Sequence, residues 1–261
     1  MKVAFHVNDA KPRAKAARRE LGAAARALGL RVASRGAAEV VVARGGDGTI
    51  LHAVHAFPGV PVLGCNLGGL GYLASVVEKD FGKALRMLSE GRFKVSERSM
   101  LEVRKGRRRA LALNDVVIVR EMTGHAAILE VEADGRRAAR YMADGVVVAT
   151  PTGSTAYSLA AGGPVLMPDT RCLSVTPMNP HALAVRPVVV SDGVLLRVTS
   201  RRRVNGRVAE KLGVYADGEA VFMLGGDESA EISKAAELAK LVELAGFDPY
   251  EVMGRKLGWP K

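Results

Sequence analysis

Cysteine is nearly absent. Cys65 and Cys172 are the only two, too few for a disulfide framework and without the close spacing of metal ligands. Both read as core residues of a protein kept in a reducing compartment. Aromatic residues are scarce too, at 5% of the chain with one tryptophan. None interleaves with the arginine clusters in the way that single-strand nucleic-acid binders stack bases. Long apolar runs are also missing. The longest candidate, residues 181–196, is broken by Arg186, Pro187, Ser191 and Asp192, short of the roughly 18 to 20 apolar residues that span a membrane. The chain opens on Lys2 and a strand-like run, and the Ala-rich stretch behind it carries Arg13, Lys15, Arg18, Arg19 and Arg26. That is unlike a secretory signal, so the expectation is a cytoplasmic protein without a membrane span. Acid, finally, is outnumbered: 27 Asp and Glu against 38 Lys and Arg leave a net charge of +11. Such a balance suits anionic partners, whether nucleotides, nucleic acid or a lipid surface. The densest clusters, residues 107–109 and 201–203, lie between strand-like runs and read as solvated hairpin tips.

What is present organises a core. Hydrophobic residues make up 48% of 261 positions, enough for one large domain or two moderate ones. Up to about residue 95, short apolar runs (2–7, 30–33, 39–43, 61–65) alternate with helical patterns at 11–28 and 80–89, which predicts an α/β domain with a parallel sheet. Beyond it come β-rich runs punctuated by Gly, Asp and Arg: 100–103, 110–113, 116–119, 127–131, 146–150, 185–190, 194–199, 214–216 and 220–224. These predict an all-β, sandwich-like domain, with Asp217-Gly218 as a hairpin turn. Residues 230–261 read as helical again and are expected to return to the first domain. The expected boundaries are 1–95 with 236–261 for the α/β domain and 96–235 for the β-rich one.

Two stretches carry chemistry. Gly45-Gly46-Asp47-Gly48-Thr49 follows an apolar strand and opens a helix. Glycines permit positive φ and close approach, and a helix N-terminus offers free N–H groups and partial positive charge to phosphate. Asp47 is the odd member, because a carboxylate repels phosphate unless it holds a metal or takes a proton from an attacking hydroxyl. The alternative is an Asp that merely caps the helix. The second stretch, residues 144–164, joins Asp144, a buried strand and a run of small and hydroxyl residues that reaches Tyr157 and Ser158. Small residues admit a flat ligand, hydroxyls bond a base or ribose, and an aromatic ring stacks.

Together these segments resemble the NAD kinase family: GGDGT (45–49), NLGGLGY (66–72), ND (114–115), DGVVVATPTGSTAYSLAAGGP (144–164), PHALAVRP (180–187) and KLGW (256–259). The resemblance covers nearly the whole chain in order. GGDGT is shared with lipid kinases and phosphofructokinases, whereas the TPTGSTAYS run is far more specific. It implies an α/β nucleotide-binding domain, a sandwich-like NAD-binding domain and phosphate transfer from ATP to the 2′-hydroxyl of the adenosine ribose of NAD, giving NADP.

Matched residue by residue, the resemblance makes Asp47 the proton acceptor and puts Gly45, Gly46, Gly48 and Thr49 around the ATP phosphates. It puts Asp47, Gly48, Tyr72, Asn114, Asp115, Asp144, Thr155, Ala156, Tyr157 and Ser158 at NAD, with His52, His125, Met142 and Glu219 as further candidates. Tyr72 stands where the family usually has Phe, Asp115 where Glu is usual, Met142 where many members are polar and Glu219 where many have Gln. A divalent ion, expected to be Mg²⁺, would ride on the phosphates without a dedicated protein cage. The resemblance also implies a homodimer or homotetramer, with NAD and ATP as partners and neither nucleic acid nor membrane. A lipid kinase sharing the glycine loop and a non-catalytic dinucleotide-binding protein are the rival readings; a substrate screen separates them.

Overall fold

The computed structural model describes residues 1–7, 14–67, 71–121, 126–201 and 211–259. The chain divides into two units, Met1–Glu97 with Ala239–Lys261 and Arg98–Leu238. No helix among the described residues is long and apolar enough to cross a membrane.

In the first unit the elements run β1 (Lys2–Val7), α1 (Ala14–Ala27), β2 (Arg31–Val32), β3 (Val40–Arg44), α2 (Asp47–Ala56), β4 (Val62–Asn66), β5 (Val76–Val77) and α3 (Phe81–Ser89). β3 is the uninterrupted apolar run of the sequence, and four of its five residues are buried, as expected of a parallel strand covered on both faces. Pairing among these strands is parallel throughout, in the order β2-β1-β3-β4-β5. Its core packs Val3, Val40, Val42 and Leu63 against Leu85 and Leu88 of α3. The chain leaves β1 toward β2 on one side and leaves β3 toward β4 on the other. The carboxyl ends of β1 and β3 are therefore the topological switch point, the crevice where such sheets bind ligands. Residues 45–49 lie there.

The second unit is almost wholly β: β6 (Phe93–Lys105, which enters it), β7 (Arg108–Ala112), β8 (Asp115–Arg120), β9 (Ala127–Ala133), β10 (Arg136–Ala143), β11 (Gly145–Ala149), the short α4 (Tyr157–Ala160), β12 (Cys172–Met178), β13 (Val188–Ser191), β14 (Leu196–Arg201), β15 (Leu212–Ala216), β16 (Glu219–Leu224) and β17 (Ser229–Leu244, which leaves it). One sheet has the order β13-β12-β11-β8-β15-β16, all antiparallel. The other carries β10-β9-β14-β17, with β6 also on β17 and β7 on β6. A shared core of Leu101, Ile118, Leu129, Val148, Leu173, Leu196 and Leu224 lies between them. β11 is buried at all five residues, because Val147 and Ala149 pack outward against Val117 and Met178.

Three expectations are corrected. The stretch 230–261 is not helical throughout: β17 takes it as far as Leu244, and helix returns only in α5 (Pro249–Leu257). Ala, Glu, Lys and Leu favour helix intrinsically, but Ala230 and Ile232 alternate into the core opposite β14, and tertiary burial overrides propensity. α5 is bounded as its sequence directs, with Asp248 Oδ1 accepting from Tyr250 N–H at 2.8 Å, Pro249 in the first turn and Gly258 left-handed at φ 68°. The arginine clusters, second, are not simply solvated tips. Arg108 and Arg109 belong to β7, where Arg109 pairs with Glu102 at 2.7 Å and Glu237 at 2.5 Å. Arg201 ends β14 and holds the buried Glu130 at 2.5 Å, while Arg202 and Arg203 lie outside the described residues. Third, the glycines of residues 45–49 do not use positive φ.

Candidate functional site

Two constellations form, one in each unit. In the first, Gly46 is the N-cap of α2 and Asp47 its first helical residue. Gly45 N–H donates to Cys65 O at 2.9 Å and Thr49 N–H to Gly46 O at 2.8 Å, which fixes the turn between β3 and α2. A Cβ on Gly45 would fall 2.3 Å from Thr49 Oγ1, whereas at Gly46 and Gly48 it would meet nothing within 4 Å. The fold therefore requires the first glycine and leaves the other two open to solvent, where a ligand can reach the main chain. Among the described residues no acceptor is found for the N–H groups of Asp47 and Gly48. Free N–H groups at a helix N-terminus suit an anion.

Asp47 does not act as the helix cap. Its Oδ2 accepts from Tyr72 N–H at 2.9 Å and its Oδ1 from Leu73 N–H at 3.4 Å, so the loop after β4 holds the carboxylate beside the turn. That loop comes so close that a Cβ on Gly71 would lie 1.9 Å from Asp47 Oδ1, and glycine is needed there. The Tyr72 ring is half-buried, with Lys256 Nζ of α5 5.7 Å from its centroid. Burial, and then the Asp47 charge, push the Tyr72 phenol above its ordinary pKa. His52 has a partner in β1: it stacks on His6 at 4.9 Å between centroids, with Nδ1 3.1 Å from His6 Nε2.

The second constellation gathers around the end of β11. Thr150 Oγ1 donates to Leu113 O at 2.6 Å and accepts from Gly153 N–H at 3.0 Å, while Thr150 N–H donates to Asn114 O at 2.9 Å. A Cβ on Gly153 would sit 2.0 Å from Asn114 O. The ND and TPTG segments are thus one tightly bonded unit. Ser154 Oγ donates to Pro151 O at 2.7 Å and accepts from Leu166 N–H at 2.9 Å. These bonds leave Thr155 and Ala156 partly exposed and the Tyr157 ring 49% exposed. Ser158 is placed otherwise: it is fully buried, and its hydroxyl meets those of Thr176 at 3.2 Å and Ser174 at 3.4 Å.

Asp115 is buried, and its carboxylate accepts from Tyr157 N–H. Burial first, then the neighbouring Asp217 charge, raise its pKa to about 7, against the pull of that N–H. Asp217 sits in the β15–β16 turn, at φ 50° before Gly218 at φ 85°, the two-residue turn expected of Asp-Gly. Its carboxylate does more than make the turn. Oδ2 accepts from Leu113 N–H at 2.7 Å, and Oδ1 from Asn114 N–H at 2.8 Å and Asp115 N–H at 3.2 Å. Asp144 is also tied down, with Arg120 Nε at 2.7 Å on Oδ1 and Asn179 Nδ2 at 2.9 Å on Oδ2. Its pKa is held below the carboxylate range by the Asn179 and Arg120 bonds.

Met142 is exposed on β10, where its carbonyl accepts from His181 N–H at 2.9 Å. Glu219 is exposed at the start of β16. His125 lies outside the described residues, as do Gly68, Gly69 and Leu70. Sequence reasoning missed Arg120, Asn179, Asp217 and Lys256. The Asp-Gly pair signalled the turn but not the carboxylate's second role, the KLGW segment included Lys256 without giving it a role, and nothing signalled Arg120 or Asn179. No group of three or more His, Cys, Asp or Glu that could hold a metal occurs among the described residues.

Comparison with known proteins gives the same order of segments. Residues 5–93 match the ATP-NAD kinase N-terminal domain family and residues 113–244 the ATP-NAD kinase C-terminal domain family. The NAD kinase of Symbiobacterium thermophilum is 42% identical over 229 residues, 85% of this chain and 79% of that protein. That of Syntrophotalea carbinolica is 37% identical over 231 residues, 86% of this chain and 79% of the relative. Among solved structures, an NAD kinase from Archaeoglobus fulgidus in complex with ATP superposes with a TM-score of 0.79 at 25% identity, covering 99% of this chain and 98% of that one. Yeast NADH kinase complexed with NADH has the same fold, with a TM-score of 0.84 at 24% identity over 100% of this chain and 88% of the other.

Proposed function

The chain belongs to the NAD kinase family and transfers phosphate to NAD; from that premise we propose that Asp47 is the general base and that each constellation above binds its own part of the substrates. The observation that carries this reading is the Asp47 carboxylate, held by Tyr72 and Leu73 N–H beside the free N–H groups of α2. The terminal phosphate of ATP lies at Gly45, Gly46, Gly48 and Thr49, where main-chain N–H groups and the helix dipole favour it. Asp47 takes the proton of the ribose 2′-hydroxyl as that oxygen bonds to phosphorus. The bond from phosphorus to the leaving ADP oxygen breaks, and NADP and ADP result.

The remaining contacts divide by environment. Asn114, Thr155, Ala156 and the exposed Tyr157 ring take the dinucleotide, with Asp115 accepting from a ribose or base and Asp144 orienting Arg120 and Asn179 as it does so. Ser158, bonded inward, positions Tyr157. Tyr72 and Lys256 bring an aromatic face and a cation beside Asp47. A protein cage for the divalent ion is not needed: Mg²⁺ enters as part of the nucleotide substrate, carried by phosphate oxygens and water. The homodimer or homotetramer that the family resemblance implies and the cytoplasmic setting expected from the scarcity of cysteine belong to the same proposal, light scattering being the check on assembly.

Replacing Asp47 by Asn tests the base. With ATP, Mg²⁺ and NAD, kcat is expected to fall about 10²- to 10⁴-fold with ATP affinity held or improved. A variant that turns over normally removes Asp47 from the role.

A further inference from the structure

α5 brings to the first constellation a cation that the fold itself does not employ. The last turn of this helix is fixed, with Gly258 left-handed and the N–H groups of Gly258 and Trp259 both returning to Gly254 O. Two basic residues, Arg255 and Lys256, stand in that turn, and either suits the negative end of the helix dipole. Arg255 is committed to Glu251, one turn back. Lys256 has no carboxylate partner among the described residues; its Nζ lies instead 5.7 Å from the centroid of the Tyr72 ring. Tyr72 is the residue whose main-chain N–H holds Asp47, and after burial it is the Asp47 charge that raises its phenol. Ammonium and carboxylate are thus joined through one residue. The charge balance of the turn gives this cation its weight. Asp47 sets a negative charge beside free N–H groups that suit phosphate, and those dipoles offset the repulsion only in part. Arg44, which precedes the turn in sequence, is taken by Glu78 at 2.5 Å.

We propose that Lys256 is a ligand of the phosphate being transferred, its ammonium donating to the terminal phosphate oxygens of ATP and the Tyr72 ring serving as its seat when the nucleotide is absent. This rests on the placing of ATP at residues 45–49 and deepens it. The chemistry follows from the parts. An aromatic face attracts a cation without cancelling its charge, so the ammonium remains available to an anion, which a carboxylate partner would have neutralised. Its four-carbon stem is flexible and its head acts as a point charge, so it can pass from ring to phosphate without a change in the main chain. A cation there opposes the repulsion between Asp47 and the phosphate and favours the charge that gathers on the oxygens in the transition state.

Lys256→Gln and Lys256→Arg in the full chain test it, with ATP and NAD varied separately in steady-state kinetics and with calorimetric titration of tripolyphosphate in the absence of NAD. In Lys256→Gln, kcat/KM for ATP is expected to fall about 10- to 10²-fold and tripolyphosphate to bind about three- to tenfold more weakly. The KM for NAD is expected to stay within about twofold and the melting temperature within about 2 °C, as for an exposed side chain. Lys256→Arg, which keeps the positive charge, is expected to bring kcat/KM for ATP back to within about fivefold of the wild type. Unchanged kinetics in Lys256→Gln, a rise confined to the KM for NAD, an unchanged tripolyphosphate affinity, or a loss that Lys256→Arg does not recover would each overturn the proposal. The Asp47 assignment fails separately: normal turnover in Asp47→Asn together with weakened tripolyphosphate binding in Lys256→Gln removes the base and keeps the phosphate ligand.

Discussion

Tyr72 donates its main-chain N–H to Asp47 Oδ2 at 2.9 Å, across 25 positions of sequence. The glycine before it leaves that contact room, for a Cβ at Gly71 would come within 1.9 Å of the same carboxylate. Position 71 thus decides where the proposed base points, although it carries no functional group. Gly71→Ala is expected to swing Asp47 aside and lower kcat about 10- to 10²-fold, because small displacements at a reacting centre are costly. ATP binding, which uses the turn at 45–49, is expected to hold within a few-fold. Steady-state kinetics with ATP and NAD varied separately would show it; an unchanged kcat would mean that the contact does not align the base.

Asp217 gives a second test. Its carboxylate accepts from three successive N–H groups, those of Leu113, Asn114 and Asp115. Asp217→Asn replaces one acceptor oxygen by a donor and sets N–H against N–H. The loss is expected to be about 1.5 to 3 kcal/mol, a melting temperature lower by about 3 to 10 °C. Because the segment that moves carries Asn114, the KM for NAD is expected to rise while that for ATP does not. Equal changes in both would make Asp217 a general stability residue.

Legibility in the sequence followed the range of the interaction. Continuous apolar strands, the glycine turn and the Asp217-Gly218 hairpin depend on neighbours in sequence, and all three were readable. β10, with Arg136, Arg137 and Arg140 in eight residues, was not, since its outward face hides the alternation that seats Tyr141 in the core. β17 reads as helix from its composition, whereas its partners β14 and β4, at Val198 and Val62, pair it as strand. The site divided in the same way. Small and hydroxyl residues marked the loops, but the Asp217 contacts to residues 113–115, the Lys256 contact to Tyr72 and the inward turn of Ser158 depend on which strands and helices meet, which local pattern does not encode.

Tyr157 separates binding from packing. Its ring is 49% exposed, so truncation removes little from the core, and Tyr157→Ala is expected to leave the melting temperature within about 2 °C. A stacked ring is worth about 1 to 3 kcal/mol, so the KM for NAD is expected to rise tenfold or more. Unchanged NAD kinetics with a large drop in melting temperature would place the ring in the core instead.

The last prediction concerns pH and Asp115. Burial and the Asp217 charge raise its folded pKa to about 7 from the model-compound 3.8, so between those values the folded chain holds a proton that the unfolded chain has lost. Stability then falls as pH rises. The contribution is fully present below about pH 3.8 and is lost as pH climbs through about 7. Asp144 works in the opposite direction, because its folded pKa is lowered and its contribution is lost only as pH falls into the acid range. Total stability therefore mixes both signs, and the comparison that isolates Asp115 is between the wild type and Asp115→Asn. Asparagine keeps a side-chain oxygen for Tyr157 N–H and carries no charge to desolvate. From pH 5 to 8 the wild type is expected to lose melting temperature relative to Asp115→Asn, with the difference levelling off above pH 8. Parallel melting curves across that range would show that Asp115 titrates normally, and that the carboxylate beside Asp217 is charged throughout.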